Sequence, residues 1–528
     1  MTTTTFASAL QTLTARHPRD RRAAYFGLLL PTALTPLAVI IGGYHPYSED
    51  GGLYLAGIKQ SVDPSLFQHG TEFVAGHLPF SLFIPAMTTV LRVTRLPLPW
   101  VLLAAHLVAC WLTLCAASML ASRCFTAPAA RAGAVGLLAL WLTLPIAGTS
   151  LMLMDPNLTA RSFSTPCALF ALAGTLQLSL SESPGARRCG LALCLFSLLA
   201  ACAMHMLMGI YAIEAVLLLL CTLAPRPAGR LSRTGLLSGL AIAAAAAIQL
   251  IAPPESSSYV SSALTRSYWF LGSWTWYEQF GLIAPLLVSF SLTGLRRFTD
   301  RRNAFASLAR MCLAGGLTSI TSALLFARPS LASHLLARLQ PLRIFQLIYI
   351  VMILGLGAFL GRRLLKRSAL RWISATLLLG GIMLYAQRQI YPASLHLELP
   401  GLPPANSWVQ AFLWISRSTP RNALFAIDAN YIGIPGEDAQ TFRAIAERSV
   451  LPDYSKDGGE AAISPALSAA WIRGVAAQTS LGTQTDAQRL HLLVPLGVTW
   501  IVLQRFNPTR LDCPYTNPAV KVCRLLPN

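Results

Sequence analysis

What this 528-residue chain lacks first is charge. Only 12% of its residues are Asp, Glu, Lys or Arg, about half the share that a soluble globular protein carries. Acids are the scarcer sign, 21 against 41 basic residues, for a formal net charge of +20. This composition excludes a disordered chain, a collagen-like repeat, a coiled coil and a small disulfide scaffold. The eleven cysteines form no CxxC pair, so thioredoxin-like and zinc-ribbon readings have no support. Walker A, GxGxxG after a strand, HExxH and GxSxG are all missing. No motif for nucleotide-driven, nicotinamide, zinc-protease or serine-hydrolase chemistry is therefore present. There is no internal repeat, and low complexity is confined to the alanine-rich run 241–247.

What fills the space is apolar. Hydrophobic residues make up 54% of the chain and the mean hydropathy is +0.55, the composition of an α-helical polytopic membrane protein. Eleven runs are long enough to be read as spans: 24–43, 99–120, 132–149, 163–180, 189–204, 206–224, 235–252, 279–295, 306–326, 344–361 and 372–387. The Pro-containing run 79–91 is too short for a comfortable span and reads as an interfacial or re-entrant helix.

Basic residues decide the orientation. With 79–91 not crossing, every connection on one side carries at least two of them, from Arg123 and Arg131 to the cluster Arg362, Arg363, Lys366, Arg367 and Arg371. The positive-inside rule makes that side cytoplasmic. It predicts a cytoplasmic N-terminal arm (1–23), a membrane domain (24–387) with an outer loop at 44–98, a Pro-stiffened linker (388–404) and an extracytoplasmic domain (405–528). Because the basic residues sit between apolar runs rather than along a soluble stripe, nucleic acid is not an expected partner.

In the tail, helices are expected at 408–417, 437–447, 463–477 and 485–493, and strands at 424–428 and 498–503, the pattern of a small α/β module. Nine cysteines lie in apolar runs and read as small buried hydrophobes. Cys513 and Cys523 instead flank the turn-forming Pro514–Pro518. A hairpin there would bring them within disulfide range on an oxidising side of the membrane, for about 2–3 kcal/mol.

Chemistry concentrates in the first outer loop, Tyr44-His45-Pro46-Tyr47-Ser48-Glu49-Asp50-Gly51-Gly52-Leu53-Tyr54. Two adjacent acids beside a bilayer are costly unless they face water, a partner or a substrate. A carboxylate there could serve as general base toward an acceptor hydroxyl or amine, or simply be solvated. Met154-Asp155-Pro156-Asn157, followed by Arg161, places a second acid in the next outer loop. The competing reading makes Asp155 a cap for the span at 163. Arg161, Arg266, Arg328, Arg338, Arg343 and Arg388 lie near span ends on the side that should be poor in positive charge. Guanidinium groups bind phosphate bidentately or snorkel to headgroups; Arg338 and Arg343, bracketing Gln340-Pro341-Leu342, are the leading pair. His205, at the turn between two spans, and Tyr54 are candidates for an acceptor pocket.

Asp50, four residues before Tyr54-Leu55, resembles the Asp-Glu-x-x-Tyr-Ala motif of GT-C superfamily glycosyltransferases. Gly51 replaces that motif's Glu, and Glu49 lies one position before the Asp. The resemblance implies a GT-C-like fold, a polyprenyl-linked sugar as donor, membrane lipids as surroundings, and catalytic roles for Asp50, Asp155 and Glu49. It implies phosphate binding by Arg338, Arg343 and Arg161. No organic cofactor is implied, and a divalent cation is left open. In the tail, Trp414-Ile415-Ser416-Arg417-Ser418-Thr419-Pro420-Arg421-Asn422-Ala423 is similar to the opening of the outer domain of oligosaccharyltransferase catalytic subunits, without the Trp-Trp-Asp that follows there. The whole layout is similar to bacterial polytopic proteins of the inner membrane. The alternative is a transporter or non-catalytic assembly factor for envelope glycans. Few intramembrane acids, Glu214 being the clearest, and no symmetric halves weigh against it.

Overall fold

A computed structural model of the chain describes residues 18–76, 81–223, 233–294 and 304–525. The first 17 residues, Pro79, Arg226, Arg230 and the cluster Arg296, Arg297, Arg301 and Arg302 lie outside the described residues.

The membrane half is helical: α1 (Pro18–Gly42), α2 (Glu49–Val62), α3 (Phe83–Thr94), α4 (Leu98–Cys124), α5 (Pro128–Leu140), α6 (Ala160–Leu180), α7 (Pro184–Met204), α8 (Met206–Leu223), α9 (Arg233–Ile251), α10 (Ser257–Leu264), α11 (Trp276–Thr293), α12 (Ala304–Phe326), α13 (Phe345–Leu360) and α14 (Ala369–Ile390). Among the described residues, eight helices have the length and apolarity to cross a membrane: α4, α6, α7, α8, α9, α12, α14 and the run Leu335–Leu365 that contains α13. These coincide with eight of the eleven expected spans. Of the rest, 24–43 and 279–295 fall on α1 and α11. The run 132–149 is not one continuous helix. α5 stops at Leu140, and Pro145–Ile146 (β1) pairs with Leu151–Met152 (β2) as a hairpin. Pro145 cannot continue the helical hydrogen-bond ladder, and Gly148 and Ser150 both adopt positive φ, which turns the chain back.

Small residues let the bundle close. A Cβ on Gly133 of α5 would strike the carbonyl of Gly357 on α13, and one on Gly361 would strike that of Ala129. These two helices are in backbone contact, the packing that membrane helices use where burial of apolar surface offers no drive.

The tail contains α15 (Ser407–Ser418), α16 (Lys456–Ile463), α17 (Ser468–Gln478) and α18 (Asp486–Leu493), with strands β3 (Leu424–Ile427), β4 (Ser449–Val450), β5 (Trp500–Gln504), β6 (Tyr515–Thr516) and β7 (Val520–Arg524). The strand order is β4-β3-β5-β7-β6, parallel between β4, β3 and β5 and antiparallel thereafter. Asn406 caps α15 by accepting from the Trp408 and Val409 amides. Trp408, Val409, Phe412 and Ile415 then bury one helix face against the sheet. Cys513 and Cys523 are joined by a disulfide beside the β6–β7 hairpin.

Two expected tail helices are shorter than their sequence pattern. Only Phe442–Ala446 of 437–447 is helical, because Asp438 and Ala439 take the left-handed conformation. The run 463–477 is interrupted at Ser464-Pro465, which ends α16 and lets α17 begin at Ser468.

The linker is not a free spacer. Its Leu397 bridges in parallel to Tyr44, with Tyr44 N–H donating to His396 O at 3.0 Å and Glu398 N–H to Tyr44 O at 3.0 Å. Beyond it, Glu49 N–H donates to Ala439 O at 2.9 Å and Thr441 N–H to Tyr47 O at 3.0 Å. The first loop of the membrane half is thereby stitched to the tail.

Candidate functional site

The site starts from the first turn of α2. Glu49 and Asp50 stand at its N-terminus, where the helix dipole favours acids, and Lys59 in its last turn completes the match. Gly51 and Gly52 follow, poor helix formers that each cost about 1 kcal/mol relative to alanine. The surroundings require them. A Cβ on Gly51 would lie 2.7 Å from Cβ of Asn157, and one on Gly52 would overlap Thr441 of the tail. The position where the resembled motif has Glu therefore has no room for a side chain.

The second loop docks on the first. His45 N–H donates to Pro156 O at 2.9 Å and Asn157 Nδ2 to Ser48 O at 3.2 Å. Asp155 does not cap the next helix. Thr159 takes that role in a reciprocal capping box with Ser162, opening α6. Asp155 is left to pair with Arg161, whose Nη2 donates to Asp155 Oδ2 at 2.9 Å while Nη1 donates to Asp50 Oδ2 at 3.1 Å. One guanidinium, with a side chain only 8% exposed, thus joins acids from two loops. The fork geometry of arginine suits that task better than the single ammonium of lysine.

A second cation comes from the tail. Lys456, the first residue of α16, donates from Nζ to Glu49 Oε2 and, at 3.1 Å, to Asp50 Oδ1. Both oxygens of Asp50 are therefore engaged, although its side chain remains 35% exposed. Burial opposes ionisation of Asp50, but Lys456 and then Arg161 overcome it and hold the carboxyl well below the ordinary carboxylate range. Burial likewise opposes the charge on Lys456, and Glu49 and Asp50 more than restore it, so its pKa is raised.

The other sequence candidates divide. Tyr54, one turn beyond Asp50, packs edge-on against Phe83 with ring centroids 5.2 Å apart, and burial raises its phenol well above the ordinary value. His205, the residue between α7 and α8, is pressed down to about 3 by burial and then by Arg343 and Arg161, so it is neutral at physiological pH. Arg343 is close enough to interact electrostatically with both Asp50 and Arg161. Its Nε donates to Gln340 Oε1 at 2.6 Å, and among the described residues it makes no ion pair. Arg338 is not part of the cluster. It lies over the Tyr259 ring at 5.9 Å and donates to Ile463 O of the tail at 3.2 Å. Trp414, from the tail stretch similar to oligosaccharyltransferases, stacks on Tyr515 at 5.0 Å as part of the tail core.

Sequence reasoning missed Lys456. The signal available was rarity: only four of the 41 basic residues are lysines. Two of them, Lys456 and Lys59, pair with carboxylates across the junction of α2 and the tail, Lys59 with Glu447 at 2.7 Å. Glu49, Asp50, Asp155 and Arg161 by contrast all fall within one ion-pair network.

No protein-family model matches the sequence, and no curated protein matches it. Among solved structures, a cryo-EM structure of a mutant arabinofuranosyltransferase AftD from mycobacteria is similar at 13% identity and a TM-score of 0.47. The match covers 96% of this chain and 42% of that one. The chain therefore spans less than half the length of that protein.

Proposed function

We propose that the chain is an integral membrane glycosyltransferase of GT-C type, passing a sugar from a polyprenyl-linked donor to an envelope lipid, glycan or protein acceptor. The N-terminus is cytoplasmic, the tail extracytoplasmic, and the site lies at the outer face of the inner membrane. The observation that carries this reading is the pairing of Asp50 and Asp155 on Arg161, with Arg343 nearby and without an ion-pair partner among the described residues. Arg343 holds the donor phosphate, with Arg161 beside it, since a guanidinium offers paired donors to phosphate oxygens. Asp50 and Asp155 orient the acceptor. Asp50, kept ionised by its cations, accepts the acceptor's hydrogen bond and takes its proton late, once bonding to the sugar has made that proton acidic. Neutral His205 and the Tyr54 phenol line the acceptor side. Arg338 fits a role in anchoring the tail rather than in phosphate binding.

The test is transfer from polyprenyl-phosphate sugars by the full chain in proteoliposomes. Asp50→Asn keeps the shape of the side chain and removes its charge, so turnover should fall by about 10²–10⁴-fold. Wild-type turnover by Asp50→Asn together with an inactive Glu49→Gln would shift the catalytic role to Glu49. Undiminished activity in both would refute the reading.

A further inference from the structure

A divalent cation is the usual means of organising clustered carboxylates, and Glu49, Asp50 and Asp155 form such a cluster. Their surroundings do not fit one. Mg²⁺ and Ca²⁺ require about six to eight oxygens at roughly 2.0–2.6 Å. Asp50 presents one oxygen to Arg161 and the other to Lys456, and Asp155 Oδ2 is held by Arg161. No group of three or more His, Cys, Asp or Glu side chains among the described residues is arranged to hold a metal. A dication would also have to settle beside two fixed positive charges.

We infer that the Lys456 ammonium is the resident cation of this site, contributed by the tail to the acids of the membrane half in the position a metal ion would otherwise take. It bridges Glu49 and Asp50, as a bridging metal would. Its delivery is built into both halves. Arg266, from the segment after α10, donates to the carbonyls of Tyr454 at 2.8 Å and Ser455 at 2.6 Å, the two residues before Lys456. The same guanidinium lies over the Tyr454 ring at 5.6 Å. At the other end of α16, Tyr259 donates to Ala462 O at 2.9 Å and Arg338 to Ile463 O at 3.2 Å. Side chains of the membrane half thus grip both ends of the helix that carries the lysine. Arg266 is buried and all of these polar contacts are specific, so Lys456 is held in place rather than left as a mobile surface charge.

The inference concerns the same acids as the proposed transfer, but its test reads cation binding and needs no turnover, so the two stand or fall separately. The full chain in nanodiscs is titrated with Mn²⁺ and followed by electron paramagnetic resonance. Wild type is expected to hold no stoichiometric Mn²⁺. Lys456→Met should gain one site, binding at least about tenfold more tightly than wild type, and the added change Asp50→Asn should abolish it. Lys456→Arg, which keeps the charge, should behave as wild type. Stoichiometric Mn²⁺ on wild type that is lost in Asp50→Asn would overturn the inference. So would a Lys456→Met protein with wild-type elution and circular dichroism that gains no site. If Lys456→Met does not fold, the wild-type titration alone still decides.

Discussion

Arg161 does the most at the residue scale, because it serves two carboxylates with one buried guanidinium. Arg161→Ala would leave Asp155, with a side chain only 13% exposed, and Asp50 without their shared partner. Breaking a buried pair in this way costs about 3–5 kcal/mol, and the thermal midpoint of the purified protein should drop accordingly. Arg161→Lys should recover only part of the loss, since one ammonium lacks the two parallel donors of the fork. Equal midpoints for wild type and Arg161→Ala would show that the pairing contributes nothing. The acids and Arg161 could be singled out in the sequence because charge is scarce in this chain and theirs lies beside apolar runs. Lys456 was not legible, because a lysine in a polar domain is ordinary until the fold shows what it faces. Gly51 looked like a defect in a motif, and the reason for it is the Cβ of Asn157, which only packing reveals.

At the scale of elements, the segment that precedes and opens α16 carries a second buried cluster. Asp457 accepts two hydrogen bonds from Arg443 Nη1, at 2.6 and 2.9 Å, and donation from the Asp453 amide at 2.9 Å. Asp453 Oδ1 accepts from the Lys456 amide. Burial first and Asp457 second push the Asp453 carboxyl up to about 7. A carboxyl raised on folding contributes stability that is complete below its unfolded value of about 4 and is lost as pH rises through about 7. Thermal unfolding of the purified chain should therefore show a midpoint that falls from about pH 4 to about pH 7 and levels off above that, and Asp453→Asn should flatten the slope. A slope unchanged by the substitution would assign it to another group. The same scale shows where pattern reading stops. Apolar periodicity found α15 and β3, whereas the left-handed Asp438 and Ala439 and the hairpin at 145–152 depend on backbone conformations that residue type does not announce.

For the whole molecule, the decisive arrangement is that the tail belongs to the site. Backbone bridges from Tyr44 to Leu397 and from Ser48 to Gln440 join the first loop to the linker and tail before any ion pair is counted. The orientation rests on the positive-inside argument and has a direct check. In a cysteine-free background, Pro128→Cys at the start of α5 should resist an impermeant thiol reagent added from outside and react after the membrane is opened. Labelling of intact cells would invert the topology and put the tail on the wrong side for the proposed donor. The spans themselves were the most readable part of the chain, since eight of them follow from length and apolarity alone. The contact between halves was the least readable, because it pairs residues about 400 positions apart.

That distance also sets an order of events during synthesis. Asp50 and Lys456 are 406 residues apart, so at about 5–20 residues per second the ribosome needs roughly 20–80 s to supply the lysine after the acids have emerged. During that interval α2 is present without its tail cation, the Gly51-Gly52 face has no Thr441 against it, and Arg161 is the only one of the two bridging cations available to Asp50. Until then the acid cluster of Glu49, Asp50 and Asp155 has Arg161 but not the tail ammonium to balance it. Arrival of Lys456, rather than insertion of the helices, is the step that completes the ion-pair network around Asp50.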